Sequence, residues 1–106
     1  GDPERRDLHL AGRALIKKAY TYDQMNDPSR ALEVLQEAAP LVDPAREPRL
    51  LLCLRHNMVW SLATLGRHEE ARELLPEVAA LSREIGNALD LARLRWAEGR
   101  MPCSTR

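Results

Sequence analysis

The chain has 106 residues, 44% of them hydrophobic, and its 16 Lys and Arg balance 16 Asp and Glu. This is the size of one small domain with a modest core, and a neutral balance excludes the cationic excess of a general nucleic-acid binder. No stretch approaches the roughly 18 apolar residues of a membrane helix, and no charged-then-apolar leader opens the sequence.

Leu and Ala dominate, Val, Ile and Thr are few and Phe is absent. That choice favours helices, where unbranched side chains lose little rotamer freedom, over a half-buried pleat. Cys53 and Cys103 are too few and too far apart for a disulfide framework, so a reducing, cytoplasmic setting is expected.

The first helix is expected from about Pro3 or Glu4 to Met25. It is broken by Asn26-Asp27-Pro28, where Asp27 can cap and Pro28 suits a first helical turn. A second helix spans about Pro28 to Val42, with Pro40 distorting its last turn. After the break from Asp43 to Pro48, a third runs to Leu65 and ends at Gly66, which tolerates the left-handed terminal conformation. A fourth runs from about His68 to Ile85 with Pro76 inside it, and a fifth covers about Ala88 to Arg100.

These helices repeat with a period of forty. Ala31 to Leu41 aligns with Ala71 to Leu81, sharing Ala31/Ala71, Glu33/Glu73, Leu35/Leu75, Glu37/Glu77, Ala39/Ala79 and Leu41/Leu81. The same shift pairs Tyr20 with Trp60 and Met25 with Leu65, and a third, shorter copy pairs Leu54 with Leu94 and Arg55 with Arg95. Apolar residues recur every three or four positions (Ala31, Leu35, Ala38 and Val42 in one helix, Ala71, Leu75, Val78 and Ile85 in its counterpart), giving each helix one apolar stripe. A lone helix pair cannot bury such a stripe, whereas stacked pairs can.

The run His56-Asn57, Leu62, Leu65-Gly66, Glu69-Glu70-Ala71 and Leu75 resembles a tetratricopeptide repeat. In the first copy Ala19, Tyr22, Asp27, Ala31, Leu35, Ala38 and Asp43-Pro44 match the same pattern. The period departs from the family's usual 34, Arg55 occupies a usually apolar position, and prolines interrupt both second helices. The resemblance implies an all-α superhelix of about five antiparallel helices in a single domain. Repeat one would span about residues 5–42, repeat two about 48–85, and a partial third repeat or cap helix 88–100.

It also implies that the first helix of each pair lines a concave groove. By register those positions are Arg13, Lys17, Tyr20 and Gln24, then His56, Asn57, Trp60 and Thr64, then Arg93, Trp96 and Arg100. Trp, Tyr and Arg are enriched at binding hot spots, so the expected partner is a protein or peptide of acidic or aromatic character. The alternative for Trp60 and Trp96 is packing between adjacent helices. Some family members clamp a C-terminal carboxylate. Asn57 and Arg93 hold two places of such a clamp, but Ile16, Tyr20 and Ala97 cannot supply its other donors.

No catalytic constellation appears. Cys53 and His56 share a helical turn but are two ligands, short of a zinc site, and Glu69-Glu70 suits a solvated helix start. His9 and His68 have no evident partner and are expected to be exposed. The sequence therefore points to a non-catalytic scaffold or adaptor that needs no cofactor or metal and binds neither nucleic acid nor membrane. The alternative is a peptide- or ligand-sensing domain of a bacterial transcriptional regulator. Because apolar residues surround the last helix, end-to-end homodimerisation through it is a further expectation.

Overall fold

A computed structural model describes residues 2–85, and four helices fill them: α1 (Asp2–Gln24), α2 (Pro28–Ala38), α3 (Pro48–Thr64) and α4 (His68–Ile85). The helix expected over 88–100 lies outside the described residues. Among the described residues there is no strand, and no helix is long and apolar enough to cross a membrane.

The forty-residue period is written into the backbone. α1 and α3 both end in a turn that folds back on itself, with Asn26 (φ 62°) and Gly66 (φ 81°) in the left-handed region. In the first turn the amide of Asn26 donates to the Asp23 carbonyl and that of Asp27 to the Tyr22 carbonyl, at 3.0 and 2.9 Å. Forty residues on, Gly66 donates to Ala63 and Arg67 to Leu62 at 3.0 and 2.8 Å. This paired pattern satisfies carbonyls that a helix end would otherwise leave without donors. α2 then starts at Pro28, capped by the Asp27 carboxylate accepting from the Arg30 amide at 3.2 Å.

Pro40 acts as expected, in a more specific form. The α-helix stops at Ala38 and residues Ala39–Leu41 tighten into a 3₁₀ turn that carries Pro40. This turn presses on α1 at Gly12. A Cβ there would meet Leu41 Cβ at 3.1 Å and Val42 Cγ2 at 3.2 Å, so the missing side chain allows the approach. In α4 the helix runs through Pro76 without ending.

One core cluster joins three helices: Ile16 and Ala19 of α1, Ala31, Leu35 and Ala38 of α2, and Leu50, Cys53 and Leu54 of α3. The small residues Ala19, Ala31 and Ala38 on these stripes are buried, which lets the helix backbones approach. A second cluster ties Leu32 of α2 to Leu62 of α3 and Ala71 of α4. The arrangement is all-α, antiparallel neighbours packed in sequence, as in a helical-repeat stack. Leu75 departs from its stripe: it is 40% exposed, while its copy Leu35 is fully buried. Leu35 is covered by α3, and no described helix follows α4 to do the same for Leu75.

His9 corrects an expectation. It is buried, because the loop after the 3₁₀ turn closes over it. The Asp43 amide donates to its Nδ1 at 3.0 Å, so the ring proton is on Nε2, which donates to Glu47 Oε1 at 2.7 Å. Arg13 Nη1 approaches the same Glu47 oxygen at 3.6 Å. One imidazole thereby pins the inter-repeat loop to α1.

Candidate functional site

Eight of the eleven residues expected to line a groove fall among the described residues; Arg93, Trp96 and Arg100 lie outside them. On α1 the spacing Arg13, Lys17, Tyr20, Gln24 forms one stripe, since steps of three and four residues return to the same face. The neighbouring face of the helix, with His9, Gly12, Ile16 and Ala19, points into the core. The stripe itself is uncovered: Lys17 and Gln24 are exposed, Arg13 and Tyr20 half-buried. Arg13 is partly engaged by Glu47, so Lys17 is the more accessible cation.

α3 treats the equivalent positions differently. Trp60 is half-buried and Thr64 exposed, with the Thr64 hydroxyl donating to the Trp60 carbonyl at 2.8 Å. His56 and Asn57 are buried. The Asn57 amide lies 3.8 Å from the Cys53 sulfur, one helical turn back, within reach of a weak N–H···S contact. Asn57 is therefore interior polar structure, and the thiol beside it is equally enclosed.

A cavity of about 470 Å³ opens between α3 and α4. α3 contributes His56, Val59, Trp60 and Thr64 to its wall, and α4 contributes His68, Ala71, Arg72 and Leu75. The resemblance puts Trp60, Thr64 and His56 on one surface but names no α4 residue, because it draws groove positions from the first helix of each pair alone. His68 is exposed as expected.

Elsewhere the charges work locally. Arg55, at a position usually apolar in the resembling repeat, reaches across to α4, where its Nε donates to Glu77 Oε2 at 2.7 Å. Arg67 pairs with Glu70 on the first turn of α4 at 2.6 Å. Asp23 is unusual. Burial in the α1–α3 contact pushes its carboxyl up to about 6, only partly opposed by the Ser61 hydroxyl donating to Oδ1 at 3.3 Å. Its other oxygen has no partner among the described residues.

Comparison with known families places this architecture. The tetratricopeptide repeat family model matches residues 54–85, which run from the second turn of α3 to the end of α4. Comparison with curated proteins and with solved structures gave no match. A stack of antiparallel helix pairs with one pair matched by that model defines a helical-repeat protein. Over that segment the chain is similar to the tetratricopeptide repeat family. Such repeats are protein-interaction modules and are generally non-catalytic.

Proposed function

We propose that this domain is a scaffold or adaptor that binds a peptide or protein through the first-helix face of its repeats. The observation that carries the reading is the uncovered α1 stripe of Lys17, Tyr20 and Gln24, with Trp60 and Thr64 at the corresponding positions of α3. An aromatic ring beside an accessible ammonium and two hydrogen-bonding side chains suits an extended or helical segment with acidic and aromatic residues. A panel of short peptides rich in Asp and Glu, each carrying one Phe or Trp, tests this by titration calorimetry. Binders should lose about tenfold or more in affinity on Lys17→Glu or Tyr20→Ala, with the melting temperature unchanged. Equal affinity for all three proteins defeats the reading.

A second reading, a peptide-sensing domain of a regulator, is favoured by the cavity beside Trp60. It predicts that a short peptide alone shifts tryptophan emission and that Leu75→Trp, by filling the cavity, prevents the shift.

A further inference from the structure

The core stripe of α1 runs through Ile16 and Ala19 and reaches, one turn on, Asp23. A carboxyl thus stands where packing alone would place an apolar side chain. On α3 the residues Leu54, Asn57 and Ser61 share one face and are fully buried. The Ser61 hydroxyl donates to Asp23 Oδ1 at 3.3 Å and joins the first helices of the two repeats. Asp23 Oδ2 is shut off from solvent and accepts from nothing among the described residues. α1 and α3 meet over a shorter stretch than either shares with its own second helix, so this bond is a substantial part of their direct contact.

The ionisable groups of the packed elements are engaged or placed elsewhere. On α2, Arg30 pairs with Asp27 at 3.6 Å, while Glu33 and Glu37 are exposed. On α3, Arg55 reaches Glu77 of α4, His56 lines the cavity against α4, Cys53 lies two turns before Ser61 and Arg49 stands at the far end. On α1 itself, Tyr20 is one turn back and half-buried, and Lys17 and Lys18 are exposed. The raised value of Asp23 accordingly has burial as its leading cause, opposed by the Ser61 hydroxyl.

A neutral carboxyl can remain in such a contact. An anion with one oxygen lacking a donor is costly there, and water reaching Oδ2 relieves the cost. A closed contact and an opened one therefore hold the Asp23 proton unequally, and pH shifts the population between them. Tyr20 and Gln24 lie on either side of Asp23 along α1, and Trp60 precedes Ser61 on α3. Parting the helices at this point changes the spacing between the α1 stripe and Trp60.

We propose that Asp23 and Ser61 form a proton-operated brace between the two first helices. Neutral Asp23 keeps α1 and α3 closed on each other; ionised Asp23 draws water into the contact and parts them, so that acid favours the assembled binding face. The gating of that face rests on the groove reading above, whereas the brace does not.

Carbon-detected NMR of the whole chain follows the Asp23 carboxyl directly. It should titrate near 6, with the amides of residues 20–25 and 57–62 moving at the same midpoint. Asp23→Asn should hold those amides at their acid positions throughout. Ser61→Ala removes the hydroxyl that favours the anion and should move the midpoint to higher pH. Amide shifts confined to α1 overturn the brace, as does a midpoint that Ser61→Ala leaves in place. Calorimetry with the acidic peptide panel then reads the face. Dissociation constants for the parent should rise about threefold from pH 5.5 to 7.5, and those for Asp23→Asn should stay constant. Binding by the parent that ignores pH overturns the gating. A panel without binders defeats the groove reading and the gating with it, while the amide shifts still decide the brace.

Discussion

Asp23 carries the least comfortable charge in the described structure. Half-enclosed between α1 and α3, its carboxyl titrates near 6, above the ordinary 3.8, because burial disfavours the anion more than the Ser61 hydroxyl favours it. A raised carboxylate value means that the folded state holds a proton which the unfolded chain releases. Stability therefore falls as pH rises through about 4 to 6, and above that range the ionised form weakens the fold. Asp23→Asn keeps the shape and an acceptor for Ser61 while removing the charge. We expect its denaturation midpoint to exceed the parent's at pH 7.5 and the gap to close by pH 4. A gap that is constant across this range would show that folding does not raise the Asp23 carboxyl. Residues such as Asp23 and His9 were illegible in the sequence because their partners, Ser61 and the Asp43–Glu47 loop, lie 34 to 38 residues away. No local pattern encodes such a pairing.

Elements, by contrast, were legible wherever local chemistry decides them. The ends of α1 and α3 and the starts of α2 and α4 follow from Asn26-Asp27-Pro28 and Gly66, which permit a left-handed residue and a new first turn. Gly12 is different: nothing around it in the sequence says why it is glycine. Its copy forty residues on is Leu52, on a helix with no 3₁₀ turn pressed against it. Gly12→Leu gains helix propensity worth about 1 kcal/mol but must displace Leu41 and the buried Val42, an overpacking cost of about 1–3 kcal/mol or more. We expect net destabilisation in denaturant titration; a variant as stable as the parent would mean that the turn yields freely. The converse case is Ser82, which stands where the first repeat has Val42. Its hydroxyl is buried with no hydrogen-bond partner among the described residues. The site was legible to the same extent. Register along α1 and α3 placed Tyr20 and Trp60 on corresponding faces, but it could not show that Asn57 turns inward or that α4 walls a cavity, since both depend on how neighbouring helices pack.

At the scale of the molecule, the two clusters distribute stability unevenly. α1, α2 and α3 share one cluster that spans both repeats, so none of the three can leave without opening it. α4 is attached mainly to α3, with Ala71 packed against Leu62 and the Arg55–Glu77 pair adding an exposed contact of small worth. In a linear stack each helix is stabilised by its neighbours alone, so the element with the fewest shared buried contacts should open first. Native-state hydrogen exchange resolves this. Amides of residues 71–82 should exchange through a partial opening about 1 kcal/mol or more below the global unfolding free energy, whereas those of residues 31–38 and 53–58 should exchange only by global unfolding. Identical protection in α2 and α4 would mean that the stack unfolds as one unit. It would also mean that α4 gains more support than the described contacts of α3 provide.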